Sequence, residues 1–170
     1  MKRRTRSFAV LAGMCAVLGA AVWWQVQREQ ALARDPLTSI DLAAVRALRV
    51  DCRGCTPRRF ERIDGHWQMC EPRDVRADDE AVGRLLDIAM APVRFRHARD
   101  AFDAKKIGLD PPQAVLTLDG RALRFGATDA IDGDRYVDTG DAIALVPDRF
   151  SALLFEPAER EIARDAAASH

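Results

Sequence analysis

Alternating hydrophobic and polar positions mark three short strands in the first half of the chain. Leu48, Val50 and Cys52 alternate with polar residues, and Phe60 follows after a break that contains glycine and proline. The Asp-Gly pair at 64–65 is typical of a two-residue hairpin turn, because both residues tolerate the positive φ angles that such a turn needs. The pattern therefore predicts one strand followed by a hairpin, with the three strands antiparallel.

The same turn predicts which residues face each other across these strands. With the Asp-Gly pair as the turn, Phe60 lies opposite Met69 and shares an apolar face with Trp67. Leu48 joins that face only if it lies opposite Phe60, which requires a three-residue loop at 53–55. A slip of one residue would turn Leu48 towards solvent, so we expect this register to be fixed by burial.

An amphipathic helix is predicted after these strands. Asp78 is a suitable N-cap, and acidic residues follow it in the first turn. Apolar residues then recur at i, i+3, i+4 and i+7 from Val82 to Ala89, including Leu85 and Leu86. Pro92 ends the predicted helix.

The second half of the chain repeats this alternation. Strands are predicted at 114–118, 121–125, 136–139 and 142–146, and a short closing helix at 147–155. A turn at Asp119-Gly120 places Leu116 opposite Leu123 and Ala114 opposite Phe125, which again gives one apolar face. Both halves contain an Asp-Gly hairpin followed by a helix, so a duplicated unit is an alternative organisation.

Together these elements predict an α+β fold: one domain of antiparallel β-hairpins with two packing helices, preceded by an N-terminal transmembrane helix. A parallel βαβ fold does not fit the tight hairpins. The residues expected in the core are Leu48, Phe60, Trp67, Met69, Leu85, Leu86, Leu116, Leu123, Phe125 and Tyr136.

The transmembrane prediction follows from an uncharged apolar run at 7–27, behind a basic N-terminus at 1–6. About 20 helical residues cross the hydrocarbon core of a bilayer. Trp23 and Trp24 lie at the far end of the run, and positive charge before it favours a cytoplasmic N-terminus. A cleaved signal peptide is the alternative, since small residues follow the apolar centre. A lipoprotein is disfavoured because Cys15 follows Met14 rather than a small residue.

These boundaries predict the remaining organisation: a helical extension and linker at 28–39, a periplasmic domain at 40–155 and a charged, alanine-rich tail at 156–170. The expected location is the bacterial inner membrane, as a single-pass protein. Six basic residues and one acidic residue precede Asp35, which leaves 20 basic and 25 acidic residues in the remainder. That mildly acidic remainder argues against nucleic-acid binding, which normally shows a basic footprint.

Cysteine spacing allows three interpretations. Cys52, Cys55, His66 and Cys70 have a spacing that suggests zinc, but the predicted register places Cys52 on the opposite face from His66 and Cys70. Thiol oxidoreductases need their cysteine pair at a helix N-terminus, and this pair lies in a hairpin loop. We therefore expect Cys52 and Cys55 to form a disulfide in an oxidising compartment, with Cys70 apart from them.

Other candidate chemistry has an ordinary structural explanation. A stretch with five aspartates (Asp129, Asp132, Asp134, Asp138 and Asp141) lacks the spacing of an EF-hand and is expected to form solvated turns. No nucleophile motif accompanies His97 or His170. We therefore expect no enzyme activity, no catalytic residue, no metal, no cofactor and no small-molecule substrate.

Several segments together resemble the domain of unknown function 4340 family. They are Ile-Gly-Leu-Asp-Pro-Pro at 107–112, Leu-Thr-Leu-Asp-Gly at 116–120, Leu-Arg-Phe-Gly at 123–126 and Arg-Tyr-Val at 135–137, with Trp67 and Glu71-Pro72 upstream. The resemblance covers about residues 40–155. It implies an exported, often membrane-anchored domain without an assigned reaction, and some members accompany ABC-type transport systems.

Two functions follow as hypotheses. The first is a non-catalytic interaction or accessory module of an envelope or ABC-transport-related assembly, with the inner membrane and unknown envelope proteins as partners. The alternative is a metal- or thiol-dependent periplasmic enzyme that uses Cys52, Cys55 and Cys70.

Overall fold

The computed structural model describes Met14, residues 17–20, residues 22–24 and residues 35–163. The chain divides into two units, Met1–Asp35 and Pro36–His170. In the first unit, Met14 and residues 17–20 and 22–24 are helical and exposed, and Asp35 is exposed in a bend. Among all described residues, no helix is both long and apolar enough to cross a membrane. Most of the predicted transmembrane segment at 7–27, the basic N-terminus and the last seven residues of the chain lie outside the described part.

The second unit is built on a nine-stranded sheet in which every neighbouring pair is antiparallel. Its order is β4-β3-β2-β1-β6-β7-β8-β9-β5, so two meanders meet at the β1–β6 pair. The strands are β1 (Ala47–Cys52), β2 (Arg58–Ile63), β3 (His66–Glu71), β4 (Val75–Arg76), β5 (Phe95–His97), β6 (Ala114–Leu118), β7 (Arg121–Thr128), β8 (Asp134–Asp138) and β9 (Ile143–Pro147).

The predicted registers are confirmed. Leu48 lies opposite Phe60, Phe60 opposite Met69, and Leu116 opposite Leu123. Both Asp-Gly turns have positive φ at each residue, which is why they fix the registers of their hairpins. The connection after β1 is longer than the predicted three residues. It runs over 53–57, because Pro57 has no backbone N–H with which to extend the ladder.

One face of the sheet is covered by helical structure. Helix α1 (Asp79–Asp87) begins at the N-cap Asp78 and buries Leu85 and Leu86 in the main core. It continues into a 3-10 turn at Ile88–Met90. The predicted closing helix is present as two 3-10 turns, Asp148–Phe150 and Ala152–Phe155, and further 3-10 turns lie at Arg99–Ala101 and Ala158–Glu161.

Nine of the ten residues expected in the core are buried in this main core, and the tenth lies elsewhere. Tyr136 is half-buried on the opposite face of the sheet, where it packs against a second, smaller cluster. The reason is strand alternation: Val137 points into the main core, so its neighbour Tyr136 points away. The nine are Leu48, Phe60, Trp67, Met69, Leu85, Leu86, Leu116, Leu123 and Phe125.

The ordered domain extends further than 40–155 at both ends. At the start, the backbone N–H of Leu37 donates to the carbonyl of Ala91 at 2.9 Å, and Leu37 is buried. At the end, Ile162 bridges to Ala77, and the N–H of Ala163 donates to the carbonyl of Arg76 at 3.1 Å. Residues 157–163 therefore pack against the domain instead of continuing as a tail from Glu156.

A long connection, residues 98–113 between β5 and β6, crosses the second face of the sheet; we call it the crossover. Its backbone approaches β7 closely, because the N–H of Ala127 donates to the carbonyl of Ile107 at 2.8 Å. Gly126 makes this approach possible, since a Cβ there would lie 2.3 Å from that carbonyl oxygen. Gly108 is in the left-handed region with φ +70°, which any other residue would adopt only with strain.

Replacing Gly126 with alanine is expected to destabilise the protein by about 2–3 kcal/mol, because the new methyl group forces the crossover away from β7. Thermal unfolding of the full-length protein, followed by circular dichroism, measures the loss. Gly83→Ala is the matched control: Gly83 lies inside α1 with nothing near its missing Cβ, so this change should stabilise by about 0.5–1 kcal/mol. Equal melting temperatures for Gly126→Ala and the parent would contradict the close packing.

Candidate functional site

The crossover and strands β7 to β9 enclose a cleft of about 510 Å³ on the second face of the sheet. Its floor is apolar and its rim is charged. The apolar lining consists of Phe102, Ala104, Ile107, Leu109 and Ile143, and the charged lining of Arg99, Asp100, Asp110, Arg124 and Asp138. A volume of this size lies within the range of ligand-binding pockets in proteins.

Asp138 anchors the charged side of the cleft. Its carboxylate is almost completely buried, and one oxygen accepts a hydrogen bond from Arg99 at 3.0 Å. The same oxygen, Oδ2, lies 3.8 Å from a guanidinium nitrogen of Arg124, while Oδ1 accepts from the backbone N–H of Gly140 at 2.8 Å. Both arginines remain about half exposed towards the cleft. One carboxylate therefore holds two guanidinium groups in place.

This position corrects the prediction that the aspartates at 129–141 all form solvated turns. Asp138 belongs to β8 and lies directly opposite Arg124 of β7. Asp134, at the start of β8, is also buried, and a guanidinium nitrogen of Arg94 lies 3.4 Å from its Oδ2. Burial raises the pKa of Asp134, and Arg94 only partly offsets that rise. The missed signal was the extension of the β7–β8 hairpin, which pairs an arginine with an aspartate.

Aromatic rings support the apolar floor from the side of β5. The ring of Phe102 contacts the edge of His97 at a centroid distance of 5.1 Å and that of Tyr136 at 5.4 Å. Phe102 and Tyr136 pack against Ile107, Leu109 and Ile143. Such edge-to-face contacts are favourable beyond the burial of apolar area, so they stabilise the packing of the floor of the cleft.

The opposite end of the crossover is fixed by Arg135. Its guanidinium donates to the carbonyl of Gly126 at 2.6 Å, to Gln113 at 2.9 Å and to Asp148 at 2.6 Å. Burial alone would raise the pKa of Asp148, but hydrogen bonds from Arg135 and Ser151 hold it below its usual value. Arg135 thus connects the end of the crossover to β7 and to the 3-10 turn at Asp148–Phe150.

The arrangement in the cleft is suited to binding rather than to acid–base chemistry. Both oxygens of Asp138 already accept hydrogen bonds and two arginines offset its charge, so it is not placed as a general base. Arg99 uses one donor on Asp138, and Arg124 lies beyond hydrogen-bond distance of it. The remaining donors of both guanidinium groups have the chemistry that binds an anionic group.

His66 forms a pair that the sequence analysis missed. Its Nδ1 lies 2.8 Å from an oxygen of Asp79, and the backbone N–H of Trp67 donates to the other oxygen at 2.7 Å. The hydrogen bond to His66 lowers the pKa of Asp79, with the bond from Trp67 acting in the same direction. The pair is exposed, lies outside the cleft and connects β3 to the start of α1, so we assign it a structural role.

Within the described part of the chain, Cys52 and Cys70 lie on opposite faces of the sheet. Cys52 and Cys55 form a disulfide, with Cα atoms 5.4 Å apart, and Cys52 packs against the main core. Cys70 is free and half-buried, and burial raises the pKa of its thiol. Among the described residues, no group of three His, Cys, Asp or Glu side chains is placed to hold a metal ion. The four residues of the zinc hypothesis are therefore not brought together.

Peptide mapping without reduction is expected to recover a Cys52–Cys55 crosslink and a free Cys70 from protein purified out of an oxidising compartment. Reduction should cost about 2 kcal/mol of stability, since the closed loop is short. Recovery of a crosslink that includes Cys70, or of three free thiols, would contradict this pairing.

Comparison with known proteins gives one match. The sequence model of the family described as Domain of unknown function (DUF4340) matches residues 67–160, a range that includes every residue lining the cleft. No curated protein and no solved structure matches the chain.

Proposed function

Because the chain belongs to the family Domain of unknown function (DUF4340), we propose that it is an exported, membrane-anchored and non-catalytic interaction module. In this proposal the segment at 7–27 anchors the protein in the bacterial inner membrane. The domain then acts in the periplasm, as an accessory part of an envelope or ABC-transport-related assembly, and its partner is another protein.

The cleft is the observation that supports an interaction module. Arg124 and Asp138 lie on β7 and β8, Arg99 bonds to Asp138, and the apolar floor is packed against the rings of Phe102 and Tyr136. Phe95 extends this surface, because it lies exposed on the edge strand β5 next to Leu145. A preformed cleft beside an exposed aromatic residue is typical of surfaces that bind other proteins.

The alternative of a thiol-dependent enzyme has less support. Cys70 lies on the face opposite Cys52, and its raised pKa leaves little thiolate, which is the reactive form of cysteine. Cys52 and Cys55 occupy a hairpin loop rather than a helix N-terminus.

The proposed topology places the C-terminus outside the cytoplasm. A reporter that works only outside the cytoplasm is therefore expected to be active when it is fused to the C-terminus. The apolar run without charge at 7–27 is the reason for this expectation. The protein should also stay with membranes after an alkaline carbonate wash. Release of the protein by the wash would favour the alternative of a cleaved signal peptide. Activity of a reporter that works only in the cytoplasm would contradict export.

The interaction itself is tested by photo-crosslinking in intact cells. A photoreactive residue at position 104, where Ala104 lines the cleft and is exposed, is expected to give a discrete adduct with another protein. The matched control is position 87, because Asp87 is exposed at the end of α1 on the other side of the sheet. No adduct at 104, or the same adducts at both positions, would contradict a partner at the cleft.

A further inference from the structure

We propose that the cleft binds the C-terminus of a polypeptide whose last residue is apolar. The two arginines receive the α-carboxylate, and the apolar floor receives the terminal side chain. This inference rests on the proposed function, because it names the part of the partner protein that the interaction module recognises.

Arg99 and Arg124 carry more positive charge than their shared acidic partner neutralises. Asp138 is the acidic group that the structure gives to both, and a single carboxylate neutralises only one of the two guanidinium groups. Asp138 is buried behind them, whereas both arginines are half exposed, so the unbalanced positive charge faces the cleft. Two guanidinium groups side by side match the two oxygens of a carboxylate, which they bind with directed hydrogen bonds.

Charged and apolar side chains lie next to each other in the cleft. The same cleft is lined by Ile107, Leu109 and Ile143, and Ile143 lies directly opposite Asp138 across β8 and β9. A ligand must therefore present an anionic group and an apolar group within one residue of each other. The terminal residue of a polypeptide has this chemistry, and capture of a C-terminal carboxylate is a recurrent mode of peptide recognition.

The rim of the cleft also carries acidic side chains. Asp100 and Asp110 also line the cleft and give its five charged residues a small net negative charge. The α-carboxylate is therefore expected to bind next to Arg99 and Arg124, and a basic side chain of the ligand next to Asp100 and Asp110. We therefore expect a lysine or arginine shortly before the terminal apolar residue. The volume of about 510 Å³ is sufficient for the last two or three residues of a chain.

The test uses the full-length protein in lipid nanodiscs and a dye-labelled hexapeptide that ends in Lys-Ala-Leu. Fluorescence anisotropy is expected to show saturable binding of the peptide with a free carboxylate. The same peptide with a C-terminal amide should bind about tenfold more weakly or worse, because the charge-assisted hydrogen bonds are lost. A peptide that ends in aspartate should also lose binding, since the floor of the cleft is apolar.

Variants connect this binding to the cleft. Arg124→Gln and Arg99→Gln should each weaken the free-acid peptide about tenfold and abolish its preference over the amide. Arg121→Gln is the matched control, because Arg121 is exposed on the same strand but does not line the cleft. Ala104→Trp keeps both arginines and fills the cleft, so it should also prevent binding. Melting temperatures confirm that each variant is folded.

Equal binding of acid and amide, or equal binding to the Arg124→Gln and Arg121→Gln variants, would overturn the inference. Acetyl-leucine that binds as tightly as the hexapeptide would also overturn it, by showing that a small carboxylic acid is the ligand. If no peptide binds but position 104 still crosslinks to a protein, the interaction module stands and only the C-terminal recognition is wrong. If both experiments fail, the proposed function fails as well.

Discussion

Trp67→Ala should lower the free energy of unfolding by about 3–5 kcal/mol, the largest loss that we expect from a single truncation in this chain. Trp67 is a residue of β3, is only 4 % exposed and belongs to the main core. Its backbone N–H and carbonyl are bonded to Asp79 and Ala77, and these bonds remain after truncation. The loss therefore measures the burial of the indole ring. At this size of domain it corresponds to a fall of roughly 10–20 °C in melting temperature.

Ile63→Ala is the matched control for this truncation. Ile63 belongs to the same hairpin and lies at the end of β2, but it is 52 % exposed. Its removal should change stability by no more than about 0.5 kcal/mol. A melting temperature for Trp67→Ala close to that of Ile63→Ala would mean that the indole ring is not part of the core, and that the register of the first hairpin is wrong.

The hairpins could be predicted because their information is local. An Asp-Gly pair fixes the turn, the turn fixes the register, and the register decides which apolar residues share a face. The paired positions of Phe60 with Met69 and of Leu116 with Leu123 follow from these few residues alone. Helix α1 was predictable for the same reason, since its N-cap and apolar spacing lie within a dozen residues.

The cleft could not be predicted because it depends on contacts between distant segments. Strand β5 is exposed at all three positions, so it has no alternation of apolar and polar residues. The crossover approaches β7 through Gly126, and nothing in a single glycine indicates which backbone will lie against it. An aspartate such as Asp138 has the same sequence context whether it is buried or in a solvated turn.

The motif at 107–112 acquires a physical explanation from these contacts. Ile107 and Leu109 form the floor of the cleft, and Gly108 allows the chain to turn between them. Pro111 follows a cis peptide bond, and its carbonyl accepts a hydrogen bond from Arg53 of the disulfide loop at 2.9 Å. The segment that most resembles the family is therefore the one that shapes the cleft and connects it to the Cys52–Cys55 loop.

A buried ion pair closes the domain at its C-terminal end and was not foreseen from the sequence. Arg58 of β2 is completely buried, donates to Glu161 and also donates to the carbonyl of Leu154 at 2.6 Å. The backbone carbonyl of Glu161 accepts a hydrogen bond from the N–H of Asp78 at 2.8 Å. Glu161 therefore connects the last described segment to the start of α1. One oxygen of Glu161 and the Nε of Arg58 have no hydrogen-bond partner.

The incomplete pairing predicts an unusual pH dependence of stability. Burial raises the pKa of Glu161 from 4.5 to about 7, because Arg58 offsets the loss of solvation only in part and Glu156 and Glu159 repel the charge. For a carboxyl whose pKa is higher in the folded state, folding favours the protonated form. Its contribution to stability is complete below pH 4.5 and is lost as the pH rises towards 7. The shift corresponds to about 3 kcal/mol.

Glu161→Gln isolates this contribution because glutamine has a similar shape and does not titrate. Urea unfolding of both proteins at several pH values is expected to show nearly equal stability at pH 4. The variant should then become the more stable of the two by about 3 kcal/mol at pH 8. Every other titrating group is common to both proteins, so the effects of Asp79, Asp134 and Asp148 cancel in the difference. Two results would contradict this prediction: a difference in unfolding free energy that stays constant with pH, or a parent protein that gains stability over the variant as the pH rises. Either result would mean that the attraction between Arg58 and an ionised Glu161 outweighs the cost of burying the charge. In that case the last segment would be held by a complete ion pair rather than by a protonated acid.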